Sequence, residues 1–299
     1  MEAVEAFESA RPRLMSLAFR IVGSHHDAED AVQTAWARTQ AAGTAQVENP
    51  DAWFATVTAR ACLDILRGRR RRAELPLLAD DVPSGRMSAD EAFLRREDLS
   101  RALLVLLAEL SPRQRVAYVL HDLFAVPFDE IATVLDTSTP SAKKLASRAR
   151  IRLHEAGVAA EADAEAGSDA AVTSGNGPAP AGGVDRAEHL RIVDAFLAAA
   201  RGGDIARLVR LMAPDAVRTA DAGLLPPGVP ATVHGATEVA EETRAFIDRI
   251  AVAAPMLVEG RPAAVVAPGG HPWGIVRFRI EAGLVTGIDI SPYAPAGAR

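Results

Sequence analysis

A chain of 299 residues is longer than one hydrophobic core usually supports, so more than one domain is expected. Its composition, 49% hydrophobic and 24% charged, suits ordinary globular structure, and its longest apolar runs, such as Ala102 to Ala108, are too short to span a bilayer. The single cysteine, Cys62, excludes an intrachain disulfide and argues against a cysteine-based zinc site, and the net charge of −6 would argue against nucleic acid only if it were evenly spread. It is not. Arg67 to Arg72 (RGRRRR) and Lys143 to Arg152 are basic blocks, whereas Asp80 to Glu91 and Glu155 to Asp169 are acidic. Two separated basic elements imply two contacts with one polyanion. The N-terminus begins acidic, with Glu2, Glu5 and Glu8, and lacks the basic-then-apolar order of a secretion signal, so the cytoplasm is the expected location.

In chain order, residues 1–72 are expected to be wholly helical. FESARPRLMSLAFRIVG places Leu14, Leu17, Ala18, Ile21 and Val22 at helical spacing, and Gly23 ends the run. Ser24, with Asp27 three residues on, opens DAEDAVQTAWARTQAA as a variant capping box. Ala28, Ala31, Val32 and Ala35 form one face of that helix, while Glu29, Asp30 and Gln33 make an acidic outer face. Asn49-Pro50 caps a third helix, DAWFATVTARACLDILR, with Phe54, Val57, Ala61 and Ile65 as the buried stripe and Trp53, Arg60 and Asp64 on a neighbouring face. The arginine run follows directly. Prolines, a Ser-Gly pair and acidic residues mark 73–90 as a flexible linker.

Residues 91–155 read as a second helical domain, in which a helix from about Asp90 to Leu110 leads into a helix-turn-helix. Ser111 is the N-cap, Pro112 takes the first helical position and Gln114 closes a capping box. Ile131, Ala132, Val134 and Leu135 give the next helix its apolar face, Asp136 to Ser138 makes the turn, and Thr139-Pro140 caps a helix carrying Lys143, Lys144, Arg148, Arg150 and Arg152. No acidic residue interrupts that helix before Glu155, which is the pattern of a recognition helix. Residues 156–184, rich in Ala, Gly, Ser and acidic residues, are expected to be a disordered tether. The remainder, 185–293, combines two helices, HLRIVDAFLAAAR and DIARLVRLM, with strand-like runs at Ala216 to Thr219, Ala263 to Val266, Gly274 to Ile280 and Leu284 to Ile290. That order gives an α+β domain with a sheet around a helix layer. The fold class is thus multidomain: two all-α helical domains, the second a helix-turn-helix, followed by an α+β domain.

RPRLMSLAFRIVGSHHDAEDAVQTAW, then NPDAWFATVTARACLDILRGRRRR, then the helix-turn-helix, together resemble bacterial sigma factors of the extracytoplasmic-function group. The resemblance covers roughly the first 155 residues, and its specificity lies in the combination, because a helix-turn-helix alone fits many repressors. The C-terminal part is similar to a SnoaL-like cone domain, an extension some members of the group carry. This resemblance implies that Asp27, Glu29, Asp30 and Gln33, with Trp36 nearby, dock on the β′ subunit of core RNA polymerase, which with the β subunit and promoter DNA makes up the expected partners. It also implies that the helix from Asn49 and the loop Gly43 to Glu48 read and melt the −10 promoter element, with Trp53, Arg60 and Asp64 at the matching positions. Melting needs an apolar or aromatic surface for unstacked bases and cations for phosphates. Trp53 fits either that surface or the core.

In the −35 major groove, Lys143, Lys144 and Arg148 are the candidate contacts, Ser141 and Ala142 sit near base edges, and Arg150 and Arg152 reach phosphates. Leu145 and Ala149 fit the inward face. Arg67, Arg69 and Arg70, within the basic block, are candidate phosphate ligands carrying little sequence information. No catalytic residue, cofactor, metal or membrane contact is assigned, and no ligand of the C-terminal domain is identified. Asp215, Asp221, His234 and His271 are residue types suited to acid–base work, but isolated in strand and loop segments they read as structural or solvated. Asp221-Ala222-Gly223 and Glu74-Leu75-Pro76 depart from the DGGGK-like and WLPEP-like motifs of sigma factors with this extension. The resemblance therefore implies a dissociable polymerase subunit regulated in cis by its C-terminal domain. Two alternatives stay open: a ligand-sensing helix-turn-helix regulator that binds DNA without polymerase, and an enzyme tethered to a DNA-binding module.

Overall fold

The computed structural model describes residues 2–42, 50–71, 84–97, 99–155, 182–259 and 261–294. It forms two compact units, one of Met1–Leu153 with Gly269–His271, the other of His154–Pro268 with Pro272–Arg299. Among the described residues no helix is long and apolar enough to cross a membrane.

In the first unit, α1 (Glu2–Val22), α2 (His25–Ala42) and α3 (Pro50–Arg71) pack on one another. Gly23 ends α1 in the left-handed region, φ +73°, where a side chain would be strained, and its N–H bonds Phe19 O at 2.8 Å. The carbonyl of Ser24 accepts from Ala28 N at 2.9 Å, so α2 begins where the sequence placed its cap. Phe19 and Phe54 are fully enclosed; burial of each stabilises the fold by about 2–3 kcal/mol. Cys62 is likewise in the core, and burial pushes its thiol far above the usual range. The arginine run is helical as far as Arg71, as the end of α3.

Two expectations fail between 73 and 110. Helix α4 (Ser84–Arg96) occupies part of the expected linker, and the single helix from Asp90 to Leu110 is broken, with α5 (Arg101–Glu109) starting afresh. The physical reason is local: Ser100 caps α5, its hydroxyl accepting from Leu103 N at 3.3 Å, while Phe93 and Leu94 supply α4 with an apolar face that joins the core. Residues 72–83 and the expected tether up to 181 lie outside the described residues.

The helix-turn-helix follows. Ser111 caps α6 (Pro112–Tyr118) with the full reciprocal box: its hydroxyl accepts from Gln114 N at 3.4 Å, and Gln114 Oε1 accepts from Ser111 N at 3.1 Å. Replacing Ser111 with alanine removes one half of that box and is expected to cost about 1 kcal/mol, read as faster hydrogen exchange in α6 with the other helices unchanged. A π-turn, Val119–Leu123, continues α6 and leads to Phe124. Helix α7 (Phe128–Val134) and α8 (Thr139–Glu155) are separated by a turn in which Asp136 takes φ +49°. Ile131, Ala132, Val134 and Leu135 are buried, and the cap of α8 is Ser138 and not Thr139-Pro140: Thr139 is already helical, and the Ser138 hydroxyl accepts from Ser141 N at 3.4 Å.

The second unit is α+β, as expected. Helices α9 (Gly182–Arg201) and α10 (Ile205–Leu211) precede a six-stranded sheet. The sheet is built from β1 (Met212–Ala220), β2 (Thr232–His234), β3 (Ala253–Val258), β4 (Arg261–Val266), β5 (Gly274–Glu281) and β6 (Leu284–Pro292), in the order β2-β1-β6-β5-β4-β3. Only the β1–β6 pair is parallel; the other pairs are antiparallel. Short helices α11 (Ala236–Glu242) and α12 (Ile247–Ala251) lie between β2 and β3. Phe196 and Leu197 of α9 meet Val266, Phe278 and Ile288 of the sheet in one core.

Candidate nucleic-acid interface

On α8 the helical period sorts the side chains into two faces. Ala142, Ala146, Ala149 and Leu153 are buried and Leu145 is half-buried, whereas Lys143, Lys144, Ser147, Arg148, Arg150 and Arg152 are exposed. Ala142 is completely enclosed. It therefore cannot touch a base edge, which corrects its assignment: it lies on the stripe that seats α8. Ser141 is half-buried and shares a 2.9 Å hydroxyl contact with Ser138, so part of its hydrogen-bonding capacity serves the turn. Lys143 Nζ lies 5.8 Å from the centroid of the Phe128 ring, a cation–π contact that leaves its charge at the surface. Among the described residues neither Lys144 nor Arg148 has an ion-pair partner. Arg150 differs. Its Nε is 2.9 Å from Asp122 Oδ1, and burial raises the Asp122 carboxyl above its usual range, with Arg150 and then His121 opposing that shift. Arg152 donates to Glu109 O at 3.4 Å.

Along α3, Phe54, Val57 and Ala61 of the predicted stripe are buried while its fourth member, Ile65, is half-buried, and Trp53 is half-buried against the same core. Arg60 and Asp64 are exposed but engaged. Arg60 Nη2 donates to Thr133 O of α7 at 2.9 Å, and Asp64 bridges Arg38 at 3.4 Å and Arg67 at 3.7 Å. Arg69 is turned inward: one guanidinium nitrogen donates to Val22 O at 2.9 Å and another pairs with Asp27. The fork satisfies the end of α1 and the start of α2 at once, so Arg69 and Asp27 tie three helices together. Asn49 and the loop 43–49 lie outside the described residues, and of Arg70 only its place in the helix is described.

The acidic face of α2 is split in the same way. Asp27 is spent on Arg69, and Trp36 packs its ring 4.7 Å from that of Phe7. Asp30 and Gln33 are exposed and Glu29 is half-buried; Glu29 and Asp30 stand 3.8 and 3.9 Å from His25 and His26. The open acidic surface is therefore narrower than the sequence set, centred on Glu29, Asp30 and Gln33.

Sequence reasoning missed Arg115. Its guanidinium is buried and donates to Ile21 O at 2.9 Å, Ala108 O at 2.8 Å and Leu110 O at 3.5 Å. Burial first, and nearby Arg69 second, push its pKa down to about 10 against the pull of Glu109, which leaves it charged at neutral pH. No local signal distinguishes it from the exposed arginines. Arg218 of β1 was missed for the same reason: it is buried and forked onto Glu242, with its Nε 2.9 Å from Oε2, and it donates to Pro230 O and Ala231 O. Of the acid–base candidates, Asp221 caps Gly223 N at 2.8 Å, Asp215 and His234 are exposed, and His271 is buried with its Nε2 2.8 Å from Asp90 Oδ2.

Residues 6–72 match the model for Sigma-70 region 2, and residues 100–153 match that for Sigma-70, region 4. The ECF RNA polymerase sigma factor SigJ of Mycobacterium tuberculosis is 36% identical over 297 residues, covering 96% of this chain and 87% of SigJ. The probable ECF RNA polymerase sigma factor SigI of the same organism is 29% identical, covering 95% and 91%. The crystal structure of M. tuberculosis SigJ matches with a TM-score of 0.45 and 31% identity, covering 97% of this chain and 96% of that one. With identity of this level along nearly the whole sequence, two cationic helices in separate halves of one helical unit, and both sigma regions matched, the chain belongs to the ECF RNA polymerase sigma factors.

Proposed function

We propose that this sigma factor docks on core RNA polymerase through Glu29, Asp30 and Gln33 of α2, against the β′ subunit, and contacts promoter DNA at two elements. In this reading α3 serves the −10 element, through Trp53, Arg60 and Asp64, with Arg67 and Arg70 on phosphates. Helix α8 serves the −35 element, through Lys143, Lys144 and Arg148. The observation that carries the reading is the division of α8 into a fully seated apolar stripe and an open cationic face that retains Lys144 and Arg148 without ion-pair partners among the described residues. Anionic residues on α2 complement a basic polymerase surface, and a sigma subunit needs both contacts at once. The C-terminal domain acts in cis on the helical unit, and no reaction is assigned to it.

Run-off transcription with core polymerase tests this reading: promoter-specific product is expected only when the chain is added. Reversing the open acidic face with Asp30→Arg and Gln33→Arg is expected to weaken core binding by about tenfold while leaving duplex binding by α8 unchanged. Equal core binding by the variant would remove α2 as the docking face. Truncation near Asp185 is expected to change promoter output, and unaltered output would rule out control by the C-terminal domain.

A further inference from the structure

The cations of α8 differ in what they touch. Around the helix, Lys144, Arg148 and Ile151 form the exposed stripe opposite the buried Ala142, Ala146, Ala149 and Leu153. Lys143 and Arg150 stand seven residues apart on one flank, and each meets a side chain from the π-turn or the start of α7. Lys143 lies over the Phe128 ring, a contact that leaves its charge intact. Arg150 meets a carboxylate instead, with its Nε 2.9 Å from Asp122 Oδ1.

Asp122 is presented by a fixed element. Its π-turn is pinned on both sides: Leu120 is fully buried, Val126 N donates to Leu120 O at 2.9 Å, and Ala125 N donates to His121 O at 3.0 Å. His121 Nδ1 donates to Val126 O at 3.1 Å, and its ring centre lies 3.8 Å from that of Phe128. The Asp122 side chain is 20% exposed against 50% for Arg150, so the carboxylate is the less hydrated partner. Burial lifts its pKa above the usual range, and Arg150 pulls it back. Moving Arg150 onto a phosphate would leave that carboxylate unpaired beside a polyanion.

A phosphate contact strengthens binding to every duplex alike, because it carries no sequence information. Its strength comes from counterion release, about 0.9 for each phosphate neutralised on B-form DNA, and a guanidinium already neutralised adds none. Resting on the reading of α8 as the −35 helix, we propose that Asp122 is a positioning residue that withholds Arg150 from the phosphate backbone. Bulk DNA is thereby held weakly, and affinity rests on Lys143, Lys144 and Arg148. Asp122 touches no DNA itself; it acts through Arg150, which the flank of α8 would otherwise offer to a phosphate of any sequence.

The test measures binding of the full chain to a random-sequence duplex by fluorescence anisotropy at salt concentrations from about 50 to about 200 mM. Asp122→Asn keeps the shape of the side chain and removes its charge. It is expected to tighten binding about fivefold at about 0.15 M salt and to steepen the slope of log affinity against log salt by about 0.9, as for one added phosphate contact. Asp129→Asn is the charge-matched control: it removes an exposed carboxylate of α7 that has no ion-pair partner among the described residues, and should change affinity by less than about twofold. In an Arg150→Gln background, the gain from Asp122→Asn should shrink to that of the control. Equal effects of Asp122→Asn and Asp129→Asn would overturn withholding, since net charge alone would then account for both. Weaker binding by Asp122→Asn would overturn it too, by showing that the carboxylate braces Arg150 against DNA. Should Asp122→Asn lose its helical circular dichroism, NMR of the unaltered chain decides: on saturation with duplex, the Arg148 Nε–H resonance is expected to shift and that of Arg150 to stay. Movement of both would overturn the proposal. Lys144→Gln combined with Arg148→Gln separates the two failures. If that variant binds duplex as the unaltered chain does, the −35 reading of α8 falls; if it binds weakly while Asp122→Asn behaves as Asp129→Asn, withholding alone falls.

Discussion

Replacing Arg115 with alanine is expected to lower the unfolding free energy of the helical unit by about 3–5 kcal/mol. The side chain is buried and charged, and its removal leaves the carbonyls of Ile21, Ala108 and Leu110 short of donors in a space too apolar to hydrate them. It also leaves a void between α1 and α6. Arg115→Lys keeps the charge but offers a compact ammonium in place of a planar fork, so it cannot serve three carbonyls with the same geometry, and about half the loss is expected. Urea unfolding followed by Trp36 and Trp53 fluorescence would measure both, as a lowered midpoint with an unchanged slope. A loss under about 1 kcal/mol for the alanine variant would mean that water replaces the guanidinium and that Arg115 is not central to the unit.

On α8 the largest expected effect comes from replacing Lys143 and Lys144 together with alanine. Each contact of this kind is worth about 1–3 kcal/mol, so affinity for a −35 duplex should fall by about a hundredfold or more. The salt dependence should flatten by about two counterions if both touch phosphate, and by less if they touch bases. Arg150→Ala is the informative control. Its guanidinium is held 2.9 Å from Asp122, and freeing it for DNA would strand a half-buried carboxylate, so its replacement is expected to change affinity by no more than about threefold. An Arg150 effect as large as that of the lysines would show that DNA displaces Asp122 and that the ion pair is a resting-state contact only. Binding isotherms at several salt concentrations separate these outcomes.

How much of this was legible in advance depended on how local the signal was. The box at Ser111, Pro112 and Gln114 is complete within four residues, so its reading needed nothing from the rest of the chain. Strand β3 was missed because Pro255 interrupts its alternation; the structure places it at a sheet edge, where a missing N–H leaves no ladder bond unmade. Strand β2 is three residues long and carries no period to detect. Ala142 was misassigned because its position near the start of α8 suggested a base contact, while its face is fixed by packing within the helix-turn-helix core. The acidic set on α2 was found as a pattern, but a pattern cannot tell that Asp27 is claimed by Arg69, forty-two residues away.

Sequence by itself determined the three helices of the first seventy residues, the cap at Ser111, the inward place of Ala149 on α8 and the concentration of positive charge in two places, because each follows from spacing of a few residues along one helix. Tertiary structure alone decided which charges are free. Arg60, Arg69, Arg115, Arg150 and Arg218 are chemically identical in the chain, yet they end on a carbonyl, a carboxylate or both, some buried and some exposed. The reason is that a guanidinium is committed by whichever acceptor the fold brings within about 3 Å, and those acceptors lie on other helices or strands, at separations that no local pattern encodes.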